Sequence, residues 1–160
     1  MEAARLDCLG VPFPTPTGML VRARAHAALV AYCPYMLTET YQSQTIDGNT
    51  TVQGDCTTKA IDAAATVSRQ YGVPQKAFNS GDIAELQCGG PGLLTVTNVT
   101  GAILLGSFLK LIPGTTTVAA QLDGANVTVN SLALACEAYS LATAYNMQVQ
   151  FIPRPIVCNT

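Results

Sequence analysis

The sequence predicts a mainly β fold, a small barrel or sandwich carrying an extended proline-rich N-terminal arm and a projecting hairpin. Three observations lead there. Apolar and polar residues alternate over residues 82–88 and 147–152, the period of a half-buried strand. Two-residue turn signals, Asp47-Gly48, Pro113-Gly114 and Asp123-Gly124, separate segments rich in Thr and Val. Such segments return at roughly the 8–12-residue spacing of small all-β domains.

The elements follow in chain order. Pro12, Pro14 and Pro16 alternate along the first segment, and each proline keeps its predecessor out of the helical region, so this stretch is extended. A loose tail and an arm docked on a neighbour, anchored by Phe13, both fit. In residues 19–33 the alanines favour a helix, yet a period of two sets Arg22, Arg24 and His26 against Val21, Ala23, Ala25 and Ala27. Pro34 follows at once and no capping box precedes, which favours a strand. Residues 38–56 are polar and Thr-rich around Asp47-Gly48, a strong hairpin signal because a type I′ turn needs positive φ at both central positions. With so few apolar residues in its flanks, this hairpin, which carries Tyr41, is expected to project or to lie on another subunit.

Residues 60–65 suggest a short helix. Over residues 82–88, Ala84, Leu86 and Cys88 are expected inward and Glu85 and Gln87 outward. Gly89-Gly90-Pro91-Gly92 reads as a turn, and residues 93–99 as the returning β-branched strand. Apolar runs at 102–105 and 107–112 are split by Gly106. Segments 115–120, 126–129, 132–139 and 147–152 complete the set, the last with Met147, Val149 and Phe151 inward and Gln148 and Gln150 outward. An internal echo is visible: an apolar strand, a small-residue turn and a second strand occur at residues 72–82 and again at 134–143, in a register the sequence leaves open. The expected division is residues 1–58 as arm and hairpin and residues 59–160 as the β domain.

Composition narrows the function. Of 160 residues only 11% are charged, against about 25% in an average soluble domain. Since 49% are apolar, disorder is excluded. Eight Lys and Arg against ten acids leave no basic footprint for nucleic acid. The longest apolar stretch, residues 101–113, is too short for a bilayer and is interrupted by Ser107 and Lys110, so no membrane partner is expected. No catalytic constellation stands out. His26 is the single histidine, no G-x-S-x-G elbow occurs, and the ten acids are scattered. The glycines at 89–92 lack the Lys-Ser/Thr and helix of a phosphate loop. The chain is therefore expected to be no enzyme and to use no cofactor and no metal. The six cysteines, Cys8, Cys33, Cys56, Cys88, Cys136 and Cys158, are widely spaced without a C-x-x-C pair, which leaves buried thiols and disulfides open; Cys8 with Cys158 is the first pair to test. Cys88 and Cys136 read as small core residues.

Over residues 66–153 the order of segments carries a resemblance. The run is Asn79-Ser80-Gly81-Asp82-Ile83-Ala84-Glu85-Leu86, then Gly89-Gly90-Pro91-Gly92-Leu93-Leu94-Thr95-Val96, then Gly101-Ala102-Ile103-Leu104-Leu105-Gly106-Ser107-Phe108-Leu109, then Asp123-Gly124, then Leu132-Ala133-Leu134-Ala135-Cys136-Glu137-Ala138-Tyr139. It resembles the capsid decoration, or cement, proteins of tailed bacteriophages; the family's short Gly-rich opening strands are not evident here. The resemblance implies a homotrimeric, β-barrel-like virion protein on the capsid exterior, bound to the major capsid protein and assembled in the host cytoplasm. Phe13, Arg22, Arg24 and Tyr41 are the candidate partner-binding residues. Another virion subunit, from the tail or the head-completion apparatus, and a surface β-sandwich binding module remain as alternatives.

Overall fold

A computed structural model describes residues 9–46, 49–59, 71–97, 102–110, 118–119, 131–140 and 143–153. Ten strands form the fold: β1 (Phe13–Thr15), β2 (Gly18–Arg24), β3 (Tyr35–Ile46), β4 (Asn49–Lys59), β5 (Tyr71–Pro74), β6 (Ile83–Thr97), β7 (Phe108–Lys110), β8 (Val118–Ala119), β9 (Ser131–Ala135) and β10 (Tyr145–Phe151). They build one sheet in the order β1-β2-β4-β3-β5-β6-β10-β9-β7, with β8 on β6 and an additional pairing of β2 with β6. That pairing turns the path β2-β4-β3-β5-β6 back on itself. The result is a partial ring continued by an open sheet, rather than the clean barrel or sandwich expected. The ring stays incomplete because two of its links are thin: β2 meets β4 at Arg24↔Thr57, and β3 meets β5 at Tyr35↔Gly72 and Met36↔Tyr71.

Alternation holds where it is uninterrupted. Val21 and Ala23 are fully buried in β2, and Met147, Val149 and Phe151 are buried in β10 while Gln148 and Gln150 face out. The proline-rich segment is extended as expected, but it folds back on its own chain. Phe13 pairs with Leu20 and Thr15 with Gly18 around Pro16-Thr17, so the neighbour that receives this stretch is β2. Pro14 is tolerated because β1 is an edge strand. The polar hairpin is also present: β3 and β4 pair without a break from Met36↔Lys59 to Ile46↔Asn49. The short helix of residues 60–65 and the turns at 113–114 and 123–124 lie outside the described residues, as do residues 126–129.

Two expectations fail at β6. Gly89-Gly90-Pro91-Gly92 is no turn; it lies within a single fifteen-residue strand. The glycines serve close approach. A Cβ on Gly92 would stand 2.6 Å from the Phe151 ring, and Gly90, at φ +85°, would place one 2.6 Å from the Gly18 Cα. Small residues here let β6 pass from β2, which pairs with residues 83–89, to β10, which pairs with residues 90–96. Gln87, expected outward, is buried. Met19 pairs with Gly89 but Leu20 with Gln87, so Cys88 is an extra residue, a bulge that shifts the alternation. The buried Gln87 amide is satisfied by donating from Nε2 to the Gly89 carbonyl.

The core has two parts. Val21, Ala23, Ala25, Leu29, Leu37, Cys56, Ala84 and Leu86 fill the first. Leu94, Val96, Ile103, Leu109, Met147, Val149 and Phe151 fill the second, joined by Met36, Tyr71 and Val73 from the ring.

The structure fixes the register of the internal echo. Leu29 and Phe78 exchange backbone hydrogen bonds of 2.9 and 3.2 Å; Ile103 and Tyr139 exchange bonds of 2.7 and 2.9 Å. Three residues beyond the first member of each pair, Tyr32 N–H donates to the Pro74 carbonyl and Gly106 N–H to the Ala135 carbonyl, both at 2.8 Å. Tyr32 and Gly106 share a left-handed backbone, φ 64° and 80°. The pairing Tyr35↔Gly72 recurs as Leu109↔Ala133, and the parallel contact of β4 with β2 recurs as β8 with β6. The chain thus traces one β unit twice. In the second pass the end of β6, β7, β9 and β10 take the places of β2, β3, β5 and the start of β6.

Candidate binding surface

The four partner-binding candidates fall in three places. Phe13 and Arg22 come together: the Arg22 guanidinium carbon lies 4.8 Å from the Phe13 ring centroid. Arg22 was a candidate for pairing with acids on a partner, but Nε and Nη2 donate to Glu85 Oε1 of the same chain at 3.0 and 2.8 Å. The pairing follows from cross-strand register, Arg22 lying opposite Glu85 on β6. With side chains 31% and 48% exposed, the pair contributes about 0.2–1 kcal/mol and mainly holds β1, β2 and β6 in register. Arg24 is exposed at the end of β2, with Nη1 3.5 Å from the Gly81 carbonyl oxygen. Tyr41 lies in the hairpin, in register with Gly54.

The hairpin becomes a ribbon beyond the ring. β3 touches β5 only at Tyr35 and Met36, and β4 touches β2 only at Thr57. From Glu39↔Cys56 to Ile46↔Asn49 the two strands pair with each other and, among the described residues, with no third strand. At 3.3 Å per residue the ribbon is about 23 Å long. Residues 38–58 contain no Lys, Arg or Pro, the residues with which edge strands are usually blunted.

The two equivalent corners of the repeat form a second kind of surface. In corner one, between β2 and β3 and between β5 and β6, Val30 is 61% exposed beside the Leu29–Phe78 bridge. Lys76 lies over the Phe78 ring at 5.2 Å. In corner two, Leu104 and Leu105 are 63% and 72% exposed beside the Ile103–Tyr139 bridge. In the sequence, residues 102–105 read as an apolar run. Leu104 and Leu105 instead sit in a tight turn, with Ser107 N–H donating to the Leu104 carbonyl at 3.0 Å and Gly106 left-handed. Tyr139 and Tyr145 stack at 4.6 Å between centroids. The Tyr145 hydroxyl donates to Glu137 Oε2 at 3.2 Å, and the Gln148 N–H donates to Oε1 at 2.7 Å. The hydrogen bond to this carboxylate and its charge raise the Tyr145 pKa. None of these corner residues stands out alone in the sequence; the internal echo was the signal that could have found them.

Cys33, Cys88 and Cys136 are free thiols, Cys56 is buried in the core, and the pair Cys8 with Cys158 lies outside the described residues. Cys136, expected in the core, is exposed, because β9 ends at Ala135, whose side chain takes the last inward position. Burial pushes the Cys88 thiol up to about 11 and raises Cys33 as well. At mildly alkaline pH, iodoacetamide labelling followed by peptide mass spectrometry should therefore mark Cys136 first among these four. Folded Cys88 should react only as the pH nears 11. An unfolded thiol ionises near 9 and the folded one later, so this group's contribution to stability falls as pH rises from about 9 to about 11. Equal labelling rates for Cys88 and Cys136 in the folded protein would contradict the burial argument.

No family model matches the chain, and no curated protein matches its sequence. Among solved structures, one similar chain is the head fiber gp8.5 N base of bacteriophage phi29, at 16% identity and a TM-score of 0.41, covering 84% of this chain and 98% of that one. A superposition of that quality lies below a shared fold, and no property is transferred from it.

Proposed function

We propose that this protein is a structural subunit of a tailed-phage virion that binds the outside of the head and cements neighbouring copies of the major capsid protein. The β3–β4 ribbon carries the reading. Its eight residue pairs, from Glu39↔Cys56 to Ile46↔Asn49, present two strand edges that carry no Lys, Arg or Pro, with Glu39 and Asp55 as their charged residues. Such edges can add to a neighbouring sheet through main-chain hydrogen bonds. The low charge of the chain, 11% of residues, supports the same reading, because a polar but uncharged surface is buried without stranding unpaired ions. The segment order over residues 66–153 supports placement among decoration proteins, where the chain acts as a homotrimer, without catalysis, nucleic acid or membrane. Many weak contacts repeated over a shell stabilise it by multivalency, and binding to the expanded lattice alone stabilises that lattice by linkage.

The test is co-sedimentation of the purified protein with expanded and unexpanded heads of a tailed phage from the same source, followed by cryo-imaging. Saturable binding to expanded heads is expected, and a variant with residues 40–55 replaced by an Asn-Gly turn, which keeps Glu39 opposite Cys56, should lose it. Absence of binding to either form of head would overturn the proposal.

A further inference from the structure

The internal repeat places two similar corners at the two ends of one strand. Corner one adjoins the start of β6: Arg24 pairs with Ile83, and Ala25 N–H donates to the Asp82 carbonyl at 2.8 Å. Corner two adjoins its end, where Tyr145 pairs with Val96. Fifteen residues separate them, about 45 Å if the strand were straight. Of the five large hydrophobic side chains exposed among the described residues, four lie at these corners: Val30 at the first, and Leu104, Leu105 and Tyr145 at the second. Val30 and Leu104 occupy the same place in the repeat, each one residue beyond its bridge residue.

Charge distinguishes the two corners. Lys76 and Glu137 are equivalent, each two residues before the aromatic of its bridge, Phe78 and Tyr139. Around the first corner stand Arg24 and Lys76 against Asp82, a net charge of +1 with His26 neutral. Around the second, Glu137 is the charged residue beside the bridge; the other charged residue among the described residues at 102–110, 131–140 and 143–153 is Lys110, at the far end of β7. Each corner thus offers an apolar tip beside a charge of opposite sign, on opposite ends of the same strand.

We propose that copies of this chain associate head to tail, with corner one of one molecule seated on corner two of the next. Val30 packs against the Leu104–Leu105 turn, and Lys76 faces Glu137. Such a contact joins two different patches, so it is heterologous: it closes into a ring when the rotation between copies divides a full turn and otherwise extends as a chain. The inference rests on the repeat and its charges, and it stands or falls independently of any binding to a phage head.

Sedimentation velocity of the full chain, from low micromolar to near-millimolar concentration and at low and high salt, tests it. The wild type should associate reversibly, more weakly at high salt. Lys76→Glu sets two acids against each other and Glu137→Lys two bases, so each variant alone should associate about tenfold more weakly or worse. An equimolar mixture of the two should regain association, because the acidic first corner of one variant meets the basic second corner of the other. Glu137 also holds Tyr145 and the Gln148 amide, so Leu105→Lys, at a 72% exposed position, serves as a second variant that leaves those bonds in place; it adds a base to the second corner and removes an apolar contact, and alone it should associate more weakly than the wild type. A wild type that stays monomeric throughout overturns the proposal. So do Lys76→Glu or Leu105→Lys variants that associate as well as the wild type, and so does a mixture of Lys76→Glu with folded Glu137→Lys that fails to recover.

Discussion

Phe151→Ala is expected to destabilise the protein by about 3–5 kcal/mol, the range for a buried aromatic cut to a methyl group. Phe151 is 2% exposed and is the largest of the fully buried side chains. Its strand joins the halves of the second core, pairing with Gly90 on β6 and with Ala133 on β9. The ring fills the space left by the missing side chain of Gly92, so no neighbour is positioned to collapse into the cavity. Because a domain of this size holds only about 5–15 kcal/mol in total, one such change takes a large share of it. Urea unfolding followed by circular dichroism should show a midpoint lowered by that free energy divided by the slope, with the slope unchanged. A loss below about 1 kcal/mol would mean that the ring is not packed as described.

The same residue shows what can be read from a sequence. Met147, Val149 and Phe151 announce their inward face because alternation in a regular strand is a local property, and the same holds for Val21 and Ala23. The Asp47-Gly48 signal likewise locates the β3–β4 hairpin, since a two-residue turn fixes its own register. What the sequence hides is set by partners distant along the chain. The glycines at 89–92 look like a turn because glycine usually supplies positive φ; here most of their role is to admit Met19, Gly18 and Phe151, which only the paired strands reveal. Gln87 faces inward because of a bulge defined against β2, some seventy residues earlier. Leu104 and Leu105 look like a buried run, yet Gly106 ends the segment and turns both outward.

The candidate surface follows the same division. Arg22 is a candidate for pairing with a partner on the polar face of its strand, and it is half-exposed there but pairs within its own chain. Its partner Glu85 lies sixty-three residues away, a distance at which single-sequence patterns carry no information. Lys76 and Glu137 are ordinary charges until the echo is put in register, and then their equivalence and opposite sign become visible together. The repeat was therefore legible in outline, and its consequence only once the backbone hydrogen bonds of Leu29 with Phe78 and of Ile103 with Tyr139 were known.

The point where the two repeats join should be the least tolerant of added volume. Gly18 opens β2 at φ +142°, and a Cβ there would lie 2.3 Å from the Gly89 carbonyl oxygen and 2.6 Å from Gln87 Nε2. The first of these is backbone, so the clash is relieved only if β1 and β2 move away from β6 where β6 passes from one repeat to the other. Gly18→Ala should cost about 2–5 kcal/mol, combining about 1–2 for the unfavourable backbone with about 1–3 for overpacking. Gly81→Ala separates the two contributions. Gly81 also has positive φ, +87°, but a Cβ there meets nothing within 4 Å, so only the conformational cost of about 1–2 kcal/mol is expected. The excess of the first variant over the second measures the crowding at the crossing. Hydrogen exchange should show where it acts: amides of residues 19–23 and 84–89, which pair across β2 and β6, should lose protection in Gly18→Ala, while those of β10 keep theirs. Equal costs for the two variants would mean that β2 and β6 are not pressed together at Gly89, and the shared strand would then be no constraint on how the two repeats are joined.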